Sequence, residues 1–279
     1  MVVFGLSNLV VPGVPTPFSI SMTSGNWNIS PLGDYNQRVE KIKSDLSCGI
    51  TFEISNDDPD IRNQEFFHDL RNVCLCFSYL SGSAVALRST GFRSDCILLQ
   101  TGDGFPRERP LSPTPAFCES YGDIQRHVAT MIKSFNIACQ ENHVDIIIHH
   151  WLDAMYSWSL EDFYLSGCTI LELIKWNQRR KDNNEALTLQ EALKSAHKAY
   201  MRASPNQDWI NMRNDLIHDG KLSARKFANH SKQDCIKVAC DVFDWIDQYL
   251  ASILDLPWRS TSRFDHKDLR GTNSYTTWD

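Results

Sequence analysis

The distribution of apolar residues along this 279-residue chain predicts an α+β fold, with a β-rich N-terminal domain followed by an all-α bundle. Three observations carry that expectation. Phe18-Ser-Ile-Ser-Met and Ile50-Thr-Phe-Glu-Ile alternate apolar and polar at period two, the spacing of half-buried strands. Residues 102–120 are rich in Gly, Pro and Ser, the composition of a linker between domains. From Asp123 to about Leu254 the apolar residues recur every three to four positions, as in helices that bury one face. The expected divisions are a β-rich domain over 1–120, a helical bundle over 121–254 and a polar tail over 255–279.

Within the first domain, residues 1 to about 60 read as short strands separated by the breakers Pro12-Gly, Pro15-Thr-Pro and Ser30-Pro-Leu-Gly. A helix is expected from Asn63 to Tyr79, where Phe66, Phe67, Leu70, Val73, Cys74 and Phe77 fall at helical spacing. Ser81-Gly-Ser closes it, and Ala84-Val-Ala-Leu and Cys96-Ile-Leu-Leu return to strand-like composition. In the second domain, helices are expected over Asp123–Cys139, Val144–Trp158, Leu160–Gln178, Leu189–Met201, the segment before Gly220, and from Ser231 to about Leu254. Ser159-Leu-Glu-Asp162 and Thr188-Leu-Gln-Glu191 provide capping boxes for two of them, and Arg179–Asn184 reads as a charged loop. A bundle of five or six helices is the simplest arrangement.

Nine cysteines without a repeated spacing point to reduced thiols rather than a disulfide framework or zinc site, and hence to a cytoplasmic protein. No apolar run is long enough to span a bilayer, and the first residues lack a basic leader, so no membrane partner is expected. The net charge of −6 is unevenly spread. Between Leu171 and Lys232, 12 Lys and Arg stand against 7 Asp and Glu, leaving 16 against 27 elsewhere. That basic segment fits either a polyanion-binding face or an ordinary solvated helical surface.

The same segment holds Ser204-Pro-Asn-Gln-Asp-Trp-Ile-Asn-Met-Arg-Asn-Asp-Leu-Ile-His-Asp-Gly220. Ser204 suits an N-cap, Pro205 the first helical position and Gln207 a capping box, while Gly220 suits a left-handed C-terminal stop. Between them lie Arg213, Asn214 and His218. On a regular helix, Asn214 and His218 share a face, whereas Arg213 and His218 lie about 140° apart. Bringing them together requires either an unwound helix end or a second subunit. A plain structural role is also open: Arg213 and Asp215 on a solvated face, and His218 as a cation favourable at a helix C-terminus.

The Arg213-Asn214-x-x-x-His218 pattern resembles the Arg-polar-x-x-x-His motif of the HEPN superfamily, helical domains that include many ribonucleases of bacterial defence and toxin systems. Residues 146–158 and 160–174 resemble that family's opening helices, with Glu172 near the end of the second, so the likeness covers about 124–254. The unit of helix and strands ahead of it, with Phe77-Ser-Tyr-Leu-Ser-Gly at the helix end, resembles the portion preceding some Apea-type HEPN domains. The resemblance implies a metal-independent endoribonuclease without cofactors, acting on RNA as a homodimer with two copies of the motif facing each other. It implies His218 as general acid or base, Arg213 as phosphate clamp, Asn214 as orienting partner and Glu172 in support. The N-terminal domain would then be a sensing or adaptor module, with a regulatory protein as a further partner. A bundle that binds RNA or a nucleotide without cutting, or one half of a toxin–antitoxin pair, is the alternative.

Other constellations carry less. Arg62-Asn63 with His68 imitates the motif in the acidic part of the chain, where a helix start explains it. Asp145, His149, His150 and Asp153 offer helical metal half-sites without a third ligand at telling distance. Neither a Gly-x-Gly-x-x-Gly nor a Walker loop nor a Gly-x-Ser-x-Gly elbow occurs.

Overall fold

A computed structural model of the chain describes residues 2–57, 64–89, 104–112, 114–200, 204–257, 262–265, 267, 269 and 272–278. The chain divides into two compact units, 1–136 and 137–279, so the division falls inside a helix rather than near Ser120. The fold is α+β.

The first unit is built on a five-stranded antiparallel sheet of order β2-β3-β4-β1-β5, formed by β1 (Val2–Ser7), β2 (Phe18–Met22), β3 (Gly25–Pro31), β4 (Ile50–Asn56) and β5 (Ala86–Ser89). Alternation decides which side chains enter the core: Trp27 and Ile29 of β3 are buried while Asn28 between them is exposed. Helix α2 (Gln64–Ser81) supplies the apolar counterpart. Its Phe66 meets Phe4 and Trp27 at ring-centroid distances of 5.6 and 5.2 Å, and its Phe77 meets Phe18 at 6.5 Å. Gly82 stops α2 at φ 79°, and a Cβ there would stand 2.6 Å from the Thr114 carbonyl, so only glycine fits.

Two expectations for this unit need correction or fall outside view. Residues 35–45 form a helix, α1 (Tyr35–Asp45), within a region read as strands and turns; Tyr35, Val39 and Ile42 give it a buried stripe at spacings of four and three. Cys96-Ile-Leu-Leu and Arg62-Asn63 lie outside the described residues.

Helix α3 (Tyr121–Asn142) leads into α4 (Val144–Met155), α5 (Leu160–Lys181), α6 (Leu189–Tyr200), α7 (Gln207–Asp219) and α8 (Lys232–Ile253). Capping residues fix most of the starts. Ser159 accepts the Asp162 amide, Thr188 and Glu191 exchange hydrogen bonds, and Ser231 with Asp234 completes a capping box at α8. The core of the second unit is the stripe of α8, including Phe243, Trp245, Ile246 and Leu250, with Trp151 of α4 and Ile170 and Ile174 of α5. Gly167 lets α8 approach α5, since a Cβ there would meet the Phe243 ring at 3.0 Å. Arg179–Lys181, expected in a loop, are helical: three cations in the last turn favour the helix end, and Arg179 donates to the Leu187 carbonyl.

The segment expected as a polar tail is docked where it is described. Arg263, with no exposed side-chain surface, forms a bidentate pair with Asp247 at 2.6 and 2.7 Å and lies 4.7 Å from the Trp151 ring centroid. Phe264 packs on Phe243 at 5.4 Å. Further on, Asn273 accepts the Leu160 amide, and Thr276 donates its hydroxyl to Glu161 at 2.7 Å while accepting from the Leu222 amide at 3.0 Å. Thr276 thereby ties the start of α5 to the connection after α7.

Candidate functional site

Helix α7 does not begin as expected. Asn206, not Ser204, is the N-cap, and its side chain accepts the Asp208 amide at 3.0 Å. Asparagine in extended backbone is as good a cap as serine, and Asn206 lies directly before the first helical residue. Trp209 and Met212 form the buried side of α7, and Gly220 ends it at φ 67° with its amide donating to Leu216.

The buried side sets α7 against α5. Tyr164 donates its hydroxyl to the Trp209 carbonyl at 2.5 Å. Two turns later along α5, Glu172 accepts from Arg213 at 2.8 Å. Cys168 lies between these contacts along α5 and is buried. Burial pushes its thiol up to about 12 even though the neighbouring Arg213 charge works in the opposite direction. The base of the seam is therefore an un-ionised thiol and a buried phenol whose pKa burial also raises.

Arg213 is held from two sides. One terminal nitrogen reaches Glu172 and the other the Asn214 side-chain oxygen at 3.1 Å. Its Nε is buried without a partner among the described residues. A guanidinium carries five N–H donors; with two engaged and Nε buried, one N–H on each terminal nitrogen remains for an anion. The second oxygen of Glu172 accepts from Lys175 at 2.9 Å. Two cations thus share one carboxylate, and the cluster keeps a net positive charge.

His218 stands apart. It is exposed in the last turn of α7, and no hydrogen bond joins it to Arg213, Asn214 or Glu172 among the described residues. The helix stays regular through Asp219, so the unwinding that would swing His218 toward Arg213 within one chain is not present. The chain brings together Arg213, Asn214 and Glu172, while His218, about 140° around the helix from Arg213, bonds to none of them among the described residues.

Asp215 does not lie on a solvated face, the plain structural reading open to it. It is 1% exposed, and its carboxylate accepts the amides of Ala224, Lys226 and Phe227 at 2.7 to 3.1 Å. Burial raises its pKa, but these backbone donors outweigh that effect and hold it below the usual value of 3.8. Asp215 therefore folds the connection after Gly220 back onto α7. Sequence spacing gave no sign of this, because its partners are nine to twelve residues away in irregular structure.

Among the described residues, no group of three or more His, Cys, Asp and Glu is placed to hold a metal ion, and Asp145, His149, His150 and Asp153 form no such group. No described helix is long and apolar enough to cross a membrane. No family model, curated protein or solved structure matches the chain.

Proposed function

We propose that the helical unit is a HEPN-type, metal-independent endoribonuclease that works as a homodimer, in a bacterial defence or toxin setting. The observation that carries this reading is Arg213, fixed by Glu172 and Asn214 yet keeping one N–H on each terminal nitrogen, on the same helix as an exposed histidine. RNA contains its own nucleophile. The 2′-oxygen attacks the adjacent phosphorus, the bond to the 5′-oxygen breaks, and a 2′,3′-cyclic phosphate forms. His218 takes the 2′-proton or delivers one to the leaving oxygen, since imidazole exchanges protons near neutrality. Arg213 binds the phosphate oxygens and offsets the charge gathered in the transition state. Because His218 lies on a different side of α7 from Arg213, the reading assigns the histidine facing each Arg213 to a second copy of the chain. The first unit is then a sensing or adaptor module that responds to a regulatory protein or another trigger.

Incubating the purified chain with labelled RNA in excess EDTA tests this. Cleavage that survives chelation and disappears in Arg213→Ala and His218→Ala supports it, whereas equal cleavage by both variants sinks it. The separation of His218 from Arg213 within one chain also favours a second reading, a module that binds RNA or a nucleotide without cutting; binding with no cleavage, at a concentration where the chain is dimeric, would select it.

A further inference from the structure

Trp176 is 46% exposed although it sits in a well-packed helix. The buried stripe of α5 passes beside it through Ile170, Leu171, Ile174, Asn177 and Gln178, so core packing does not account for an indole at this position. Its orientation is nonetheless fixed. The Arg180 guanidinium lies 4.8 Å from the ring centroid, and the His143 ring packs against it at 4.7 Å and 75°. His143 is itself anchored, with φ 54° and its Nδ1 2.8 Å from the Asn177 side-chain oxygen.

The run around it is basic in sequence: Lys175, Arg179, Arg180 and Lys181 occur within seven residues, and no acidic residue lies between Glu172 and Asp182. Arg180 is the one on the ring itself, while Lys175 pairs with Glu172, Arg179 donates to the Leu187 carbonyl and Lys181 to Asn142. Trp176 is also four positions beyond Glu172, which places it about 6 Å further along nearly the same face of α5. An immobilised, solvent-facing indole in a basic run suits the two chemistries of single-stranded nucleic acid, a flat base and a charged backbone. An apolar protein surface would use the indole but not the Arg180 guanidinium beside it.

We propose that Trp176 is a stacking subsite for an unpaired base of single-stranded RNA, with Arg180 and its basic neighbours holding the adjoining phosphates. The proposal rests on the ribonuclease reading for its choice of RNA, and it gives that site a substrate class: single strands or loops rather than continuous duplex.

The test uses the full chain and a fluorescent single-stranded 2′-O-methyl oligoribonucleotide, which lacks the attacking hydroxyl, with a duplex of equal length as control. Anisotropy titrations should show Trp176→Ala weakening single-strand binding by about 5- to 150-fold, the usual loss for one base–aromatic stack, and Trp176→Phe by less than about threefold. Duplex binding should be the same in all three, with unchanged thermal unfolding showing that the fold persists. Single-strand binding by Trp176→Ala equal to wild type, equal losses on duplex and single strand, or no binding by wild type would each overturn the proposal. Cleavage of unmodified RNA, measured in parallel, separates the two ideas. Cleavage with no Trp176 dependence of binding leaves the ribonuclease and removes the subsite; Trp176-dependent binding without cleavage does the reverse.

Discussion

Glu172 accepts a hydrogen bond from Arg213 at 2.8 Å across 41 residues of sequence, joining α5 to α7 where the Arg–His motif begins. Both side chains are partly exposed, at 35% and 24%, so solvent screens much of their attraction. The pair matters more as a constraint on one cation than as a source of stability.

Replacing that carboxylate should therefore separate activity from folding. Glu172→Gln keeps the shape but removes the charge that holds Arg213. The expected change in stability by urea unfolding is about 1 kcal/mol or less. Cleavage, on the ribonuclease reading, should fall by roughly tenfold or more, because a misplaced guanidinium loses transition-state contacts. Equal cleavage by Glu172→Gln and wild type would remove Glu172 from the site.

Asp215 predicts the opposite outcome. Its carboxylate accepts three backbone amides, of which the Phe227 amide is buried, and Asp215→Ala would leave that one without a partner. At about 1–3 kcal/mol for a buried group not rescued by water, a loss of that size is expected in urea unfolding. The pH dependence follows from the depressed carboxyl. The unfolded chain takes up a proton near 3.8, before the folded chain does, so the Asp215 contribution is complete above that pH and is lost as the pH falls through the lower folded value. Asp215→Asn should accordingly show a flatter acid limb than wild type.

How far the sequence disclosed these features depends on the range of the interactions that create them. The end of α7 was legible because a left-handed stop needs only Gly220 and its own turn. Its start was misplaced because Ser204 and Asn206 are chemically equivalent caps two residues apart, and local rules do not rank them. Helix α1 was hidden because its apolar stripe is only Tyr35, Val39 and Ile42 among polar residues, directly after Ser30-Pro-Leu-Gly. Glu172 was singled out, but its pairing with Arg213 depends on how α5 and α7 pack. The docked tail was least legible of all, since Arg263 reads as a surface cation until Asp247 is placed beside it.

Arg263 and Asp247 form a buried ion pair, for which the cost of breaking one side exceeds the value of the pair. Arg263→Ala should destabilise the chain by about 3–5 kcal/mol, because it strands a buried carboxylate and empties the space over Trp151. The double variant Arg263→Met with Asp247→Leu should recover most of that loss, as apolar groups of similar volume need no partner. Recovery is read as the difference in urea midpoints, and a double variant no more stable than Arg263→Ala would show that the charges themselves are required.

Cysteine chemistry offers a test of the α5–α7 seam that involves no RNA. Burial pushes Cys168 and Cys235 up to about 12, so at pH 8 only about one part in ten thousand of either would be thiolate, the reactive form. Cys48 and Cys139 are partly accessible. Iodoacetamide at pH 8, followed by peptide mass spectrometry, should label Cys48 and Cys139 well before Cys168 and Cys235, which are reached only after urea is added. Glu172→Gln should keep Cys168 protected, since the Tyr164–Trp209 contact still closes the seam on its other side. Early labelling of Cys168 in the native chain would mean that α7 separates from α5 in solution, and that Arg213 is not held as its contacts with Glu172 and Asn214 require.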